Sequence, residues 1–444
     1  MPTLDVPFPL NGLVYRMLEL AERWAPDLVA QYSDNVAIAL SSAIGVRAKA
    51  FVAINAMPCN AEVLLIGVPS SGKSTTINLV RMLNRDIVLK SGTPEYIEDV
   101  ISESVSYNGF LEGIICSEEF AKTIKHRERG KYLADMYYLL KQMYDCSYLE
   151  SGRVAVKSRF VPEYSYMVNF YMGMTYSDYA DVSDYVDEAF IRRVLVLEYR
   201  ERLNKRGIAR NAAGLDRIRE MLSDLSRYHV KVNIDDNLVG HVKYALDEID
   251  AEARKISYSC ADACCDYFWK IMAWRAIDRA YTHGKMEESD SFFYLATQYL
   301  ASKFVPCDVW VIREDIEAAK QIIMFNIMEN YKFFSMITDP DFVKIWNRLS
   351  HMLENHGVIE VKKLSRYLRV KYRTLEEVLK SCLALGLIEV YDENGDRVES
   401  PSELDSMYGR WKIALPGRAK VRVVDEKEVY SQLRSIKRMP IDKI

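Results

Sequence analysis

Lys73 and Ser74 close the run Gly67-Val68-Pro69-Ser70-Ser71-Gly72-Lys73-Ser74, and Thr75 follows. Two glycines flanking four residues, then Lys and a hydroxyl residue, make a loop whose backbone N–H groups converge on phosphate oxygens. Gly67, Pro69, Ser70, Ser71 and Gly72 would form that cradle, Lys73 would reach the outer phosphates, and the Ser74 hydroxyl would ligate Mg²⁺. The chemistry is binding of a nucleoside triphosphate. The alternative is a structural glycine turn.

Hydrolysis needs further parts, and candidates follow in order. Glu118 and Glu119 end the stretch Gly113-Ile114-Ile115-Cys116-Ser117-Glu118-Glu119. Glu118 is assigned to the metal side, usually through a water, and Glu119 to polarising the attacking water. The two roles are exchangeable on sequence, and a helix-capping acid pair is the alternative. Thr175 follows the apolar stretch Tyr166–Met172 and Gly173-Met174. It is the candidate for sensing the terminal phosphate, or an ordinary strand-end threonine. Arg192 and Arg193 stand directly before the apolar Val194-Leu195-Val196-Leu197. Such a position is unfavourable unless the charges meet a partner. A phosphate on a neighbouring subunit is one partner, with Arg193 preferred and Arg192 as alternate. A surface salt bridge to Asp184 or Asp187 is the other reading.

These residues need a frame. The run Val63-Leu64-Leu65-Ile66 reads as a buried parallel strand and Thr75–Leu83 as the helix after the loop, so a helix N-terminus faces the phosphates. Residues 1–60 read as a helical segment, with helices over Gly12–Trp24 and Asn35–Ile54. Residues 61–205 alternate strands and helices, as a parallel nucleotide-binding sheet does. Residues 206–340 read as a helical lid, 341–425 as a separate module, and 426–444 as a basic tail.

The order of phosphate loop, acidic strand, polar strand end and Arg-Arg before a strand resembles an AAA+ ATPase. More narrowly, it is similar to the helicase-like ATPases carried by viruses, plasmids and integrated elements. Gly92-Thr93-Pro94-Glu95 opening a helix, Glu118-Glu119-Phe120, and Phe190-Ile191-Arg192-Arg193 carry the narrower likeness, over about residues 35–330. Glu118 departs from the family's usual Asp-Glu pair. The resemblance implies an α/β P-loop NTPase fold with an AAA+-like parallel sheet. It also implies ATP and Mg²⁺ as cofactors, and a homo-oligomeric ring, commonly a hexamer, with ATP at subunit interfaces.

Two stretches point to DNA. Tyr148–Phe160 reads as a hairpin turning at Ser151-Gly152, with Arg153, Lys157 and Arg159 alternating; a solvated hairpin is the alternative. Val361–Arg373 carries Lys362, Lys363, Arg366, Arg369, Lys371 and Arg373 with no acid. Its two apolar-patterned helices, strand and basic strand pair resemble a winged helix, which binds DNA or docks proteins.

The bulk numbers set limits. The 444 residues carry a formal charge of −4, so DNA contact must come from local patches. No apolar run is long enough for a transmembrane helix, and Met1–Asn11 lacks a secretory pattern. The eight cysteines form no paired CxxC, and Cys260, Cys264 and Cys265 near Asp262 and Asp266 read as packed thiols rather than a metal site. The expected compartment is the cytoplasm, of a prokaryotic host cell if the chain is virus- or plasmid-encoded. The expected activity is an ATP-driven DNA helicase or translocase in replication or recombination of a mobile element, alongside replication or recombination proteins. An ATP-dependent DNA-binding switch or loader without unwinding is the rival, and an ATPase acting on protein is a third, weaker option.

Overall fold

The computed structural model describes residues 8–9, 11–120, 131–150, 160–180, 188–203, 212–289, 303–331, 340–368, 370, 372–384, 388–392, 395–398 and 411–415. The chain divides into two units, Met1–Ser335 and Met336–Ile444.

The first unit opens with α1 (Leu13–Trp24), an amphipathic helix with one buried stripe, and α2 (Pro26–Arg47). Pro26 sits at the start of α2, where its fixed φ suits the helix and no N–H is missed. The helix is interrupted at Tyr32 (φ −136°, ψ 36°). The elements that follow are β1 (Phe51–Val52), β2 (Met57–Pro58), β3 (Glu62–Gly67), α3 (Lys73–Leu83), β4 (Val88–Leu89), α4 (Pro94–Asn108) and β5 (Leu111–Ser117). Then come α5 (Lys131–Asp145), β6 (Leu149–Glu150), β7 (Phe160–Val161), β8 (Tyr166–Met174), α6 (Tyr176–Ala180), α7 (Glu188–Ile191) and β9 (Val194–Tyr199). Thr93 caps α4 by accepting the Tyr96 N–H at 3.3 Å, and Pro94 begins it.

Five strands form a wholly parallel sheet in the order β4-β5-β8-β3-β9. The middle strands β8 and β3 are buried along their whole length, which is why they read as near-continuous apolar runs. The architecture is therefore α/β with a parallel sheet. β6 and β7 pair antiparallel, Leu149 opposite Val161. The intervening Arg153, Lys157 and Arg159 lie outside the described residues.

The rest of the unit is α8 (Leu215–Leu225), β10 (Tyr228–Asn233), α9 (Asp236–Ala253), α10 (Tyr258–Thr282), β11 (Glu287–Glu288), β12 (Val305–Trp310) and α11 (Arg313–Asn326), which runs into a π-turn over Ile327–Tyr331. Here the structure departs from the sequence reading. The stretch expected to be helical contributes β10, β11 and β12 to a second, mixed sheet of order β11-β12-β10-β1-β2. β1 pairs parallel to β10 (Phe51 with Lys231), so Phe51–Val52, expected at the end of a helix, is a strand. Tyr-His-Val-Lys-Val-Asn alternates with period two, but six residues between long helices were overshadowed by the helical periodicity around them. α10 ties the two sheets: the Trp274 indole donates to Cys59 O at 2.7 Å, and Tyr267 OH lies 2.9 Å from Glu62 O.

The second unit contains α12 (Pro340–His356), β13 (Val358–Glu360), α13 (Val361–Leu368), α14 (Tyr372–Ala384), β14 (Glu389–Tyr391), β15 (Arg397–Val398) and β16 (Lys412–Ala414). Its strands form an antiparallel sheet of order β13-β16-β14-β15. Leu364, Leu368, Leu375, Leu379 and Ile413 are among its buried residues. Among the described residues no helix is long and apolar enough to cross a membrane.

Candidate functional site

The phosphate loop links the carboxyl end of β3 to the amino end of α3. Two features hold its shape. A Cβ on Gly67 would lie 1.9 Å from Tyr199 O, so only glycine lets β9 approach this closely. Gly72, at the N-cap of α3, has φ 106°, in the left-handed region that side chains avoid. The loop is pinned from β9 and its continuation: Val68 N donates to Tyr199 O at 3.1 Å and Leu203 N to Ser70 O at 3.1 Å. Ser70 itself turns through φ 64°. The first helical bond of α3 is Thr76 N to Gly72 O, 2.9 Å. The N–H groups of Lys73, Ser74 and Thr75 thus precede the helical ladder, as anion-binding donors must.

Lys73 is folded back onto its own loop. Its Nζ donates to Gly67 O (2.9 Å), Val68 O (2.6 Å) and Ser71 Oγ (3.2 Å). Burial pushes the amine down to about 8, and the Asp178 carboxylate opposes that shift. A cavity of about 300 Å³ opens beside it, with Ser71, Gly72, Lys73 and Thr75 on one wall and Asp27, Leu28 and Leu203 on the other. Leu28 and Leu203 beside the Asp27 carboxylate, facing a cationic, N–H-rich wall, suit a ligand that is part ring and part phosphate. Pro69 lies outside that lining, in the turn between Val68 and Ser70.

The acids emerge on the same edge of the sheet. Ser117 pairs with Met172 and Ile66 with Met174, so β8 separates the phosphate-loop strand from β5 while keeping their carboxyl ends together. Glu118 and Glu119 form the turn after β5. Glu118 accepts from Arg81 Nη1 at 2.8 Å, and Arg81 also donates to Asn78 at 2.6 Å. Glu119 is exposed. A hydroxyl (Ser74) and a carboxylate (Glu118) are donor types that a hard divalent cation such as Mg²⁺ takes. Arg81 must yield, or Glu118 must act through a water.

Thr175 serves its own helix. Its hydroxyl donates to Asp178 Oδ2 at 2.6 Å, and the Asp178 N–H returns a bond to Thr175 Oγ1 at 3.1 Å. That reciprocal pair caps α6 and engages the hydroxyl expected to sense phosphate. The group the cap brings near Lys73 is Asp178, which the sequence reading passed over. Thr-x-x-Asp is the signal that would have found it.

Arg193 and Arg192 sit at the opposite edge. Val194 pairs with Glu62 at the start of β3, roughly 17 Å along the strand from Gly67. Arg193 Nη2 is 3.3 Å from Asp145 Oδ2, and its guanidinium carbon is 5.9 Å from the Tyr144 ring centre. Arg192 Nε is 3.2 Å from Asp262 Oδ2. Among the described residues, Asp145 and Asp262 are partners of these arginines; Asp184 and Asp187, the partners of the alternative reading, lie outside the described residues. The Arg192–Asp262 pair is half-exposed on both sides and contributes about 0–1 kcal/mol, whereas Arg193 is largely buried beside a half-exposed Asp145. Behind Arg193, Lys270 is buried, donates to Asn60 O at 2.9 Å and sits 3.5 Å from the Tyr144 centroid.

Of the basic residues expected to meet DNA, Lys362, Lys363 and Arg366 lie on α13. Lys363 Nζ is 3.4 Å from Glu360. The side chains of Lys362 and Arg366, and Arg369 altogether, lie outside the described residues. Cys260 and Cys264 are buried with sulfurs 3.8 Å apart. Among the described residues no group of three potential ligands is arranged to hold a metal ion. Searches with the chain match no protein-family model and no curated protein.

Proposed function

We propose that this chain is an ATP-hydrolysing motor or remodeller of DNA, an AAA+-type P-loop ATPase that works as a ring and carries a C-terminal winged helix. The observation that carries the reading is the loop from Gly67 to Lys73, with its cationic cavity, on the same sheet edge as Glu118 and Glu119. The strand inserted between β3 and β5 supports the AAA+ comparison. In the second unit, the order helix, strand, two helices and antiparallel strands supports the winged-helix comparison.

Each residue then has a task. The N–H groups at the start of α3 and the Lys73 amine bind the triphosphate, and Leu28 and Leu203 wall the base. Glu119, exposed to solvent, orients and polarises the attacking water. Mg²⁺, held through Ser74 and Glu118, would neutralise charge between the outer phosphates. Arg193, too far from its own loop, reaches the γ-phosphate of a neighbouring subunit after leaving Asp145.

The amine of Lys73 gives a pH signature. Its value of about 8 before nucleotide binds rises once phosphate surrounds it. Binding at pH 8 therefore draws in roughly half a proton, and affinity strengthens as pH falls through that value. Calorimetry in buffers of different ionisation enthalpy reads the uptake. Lys73→Arg, whose charge does not titrate, should abolish it.

The DNA part is tested by titrating ATPase activity with DNA at several salt concentrations. Replacing Arg153, Lys157 and Arg159 by Ala should remove stimulation by DNA. Replacing Lys362, Lys363, Arg366 and Arg369 should weaken binding and leave the stimulated rate recoverable at saturation. Each lost phosphate contact should lower the salt slope by about one unit. Unchanged DNA affinity in both variants would refute the DNA reading and favour a protein-acting ATPase.

A further inference from the structure

A groove of about 530 Å³ is lined by Trp24 of α1, Asn78, Arg81 and Met82 of α3, Arg85 and Arg219 of α8. Three guanidinium groups share this space, and among the described residues no carboxylate lines it. Like charges so grouped repel one another; Glu118 offsets Arg81 and Asp216 offsets Arg219, which leaves the charge of Arg85 for an arriving anion. Two of the three are held in place. Arg219 donates from Nε and Nη2 to Met82 O, at 3.0 and 2.7 Å, which closes the carboxyl end of α3, and from Nη1 to Asp216 Oδ1 at 3.5 Å. Arg81 is held by Asn78 and Glu118. Arg85, one turn beyond Arg81, is exposed and makes no hydrogen bond or ion pair among the described residues. A planar guanidinium holds phosphate oxygens bidentately, and the half-buried Trp24 offers an indole surface for a flat ring. The volume lies within the range of small-ligand clefts, about 300–1,000 Å³.

We infer that this groove is a second nucleotide site, separate from the phosphate loop. The phosphate sits among Arg81, Arg85 and Arg219, and the base lies against Trp24. The ligand is a nucleotide unit, either free or as one residue of a single strand. Arg81 gives its arrival a consequence, because the same guanidinium holds Glu118. A phosphate that draws Arg81 into the groove frees the Glu118 carboxylate at the end of β5. The binding stands by itself; this coupling rests on the role proposed for Glu118.

The test uses the full chain carrying Lys73→Ala, which removes phosphate-loop binding, with AMP and a short oligothymidylate as calorimetric probes at low salt. One or both should bind, about ten-fold or more weaker in Arg85→Glu and several-fold weaker in Trp24→Leu, and added salt should weaken binding further. AMP binding that Arg85→Glu weakens assigns the site to free nucleotide. Oligomer binding that Arg85→Glu weakens in a chain whose Arg153, Lys157, Arg159, Lys362, Lys363, Arg366 and Arg369 are also replaced by Ala, with AMP not bound, assigns it to a strand. Arg85 is exposed, so its variant should melt at the parental temperature. Failure of both probes to bind, or binding indifferent to Arg85→Glu, overturns the site. If Lys73→Ala leaves ATP binding intact, the phosphate-loop reading fails instead, and the Arg85 dependence of AMP binding still decides the groove.

Discussion

Glu119→Gln is expected to lower ATP turnover by about two to four orders of magnitude and to leave ATP affinity nearly unchanged. A carboxylate that accepts a proton from the attacking water contributes about 10²–10⁴ in rate, whereas an amide of the same shape only holds the water. Glu119 is exposed at the turn after β5 and makes no contribution to the buried core, so the variant should fold normally. Glu118→Gln should behave differently. It weakens the 2.8 Å contact with Arg81 and should show its effect as a raised requirement for Mg²⁺. Steady-state turnover and nucleotide affinity, measured over a range of Mg²⁺ concentrations, separate the two. Normal turnover in Glu119→Gln with loss in Glu118→Gln would exchange their roles.

The parts of the site written in contiguous residues were legible in the sequence. A four-residue apolar run, a Gly-bounded loop and a Lys-Ser pair can fold locally in few ways, and the structure has β3, the loop and α3 there. Thr93-Pro94 likewise opened a helix because cap and first-turn chemistry is local. What escaped depends on distant residues. Phe51–Val52 is a strand because Lys231 and Val232 lie beside it, and nothing within the first segment encodes that partner. The Arg81–Glu118 pair joins the outer face of a helix to the end of a strand two places away in the sheet. Arg193 was legible as a charge before a buried strand, but its contact with Asp145 depends on how α5 packs. Thr175 was legible in position, but its bond to Asp178, three residues on, belongs to a cap that the strand-end reading passed over.

The second large effect is at Arg193. Arg193→Ala should leave nucleotide affinity intact and reduce turnover about a thousandfold or more, because a trans arginine stabilises charge that develops only in the transition state. The position of the residue, roughly 17 Å along the sheet from its own phosphate loop, is beyond the reach of an arginine side chain to its own γ-phosphate site. Mixing subunits tests the phosphate loop, the arginine and their shared interface together. Lys73→Ala chains cannot hold the triphosphate but still offer Arg193, and Arg193→Ala chains hold it but lack the partner charge. Each variant alone should be nearly inactive. Oligomers verified to contain both should recover a clear fraction of wild-type ATP turnover, greatest near equal proportions. Verified mixed oligomers that remain as inactive as either variant alone would contradict the account of a shared ATP site between neighbouring subunits.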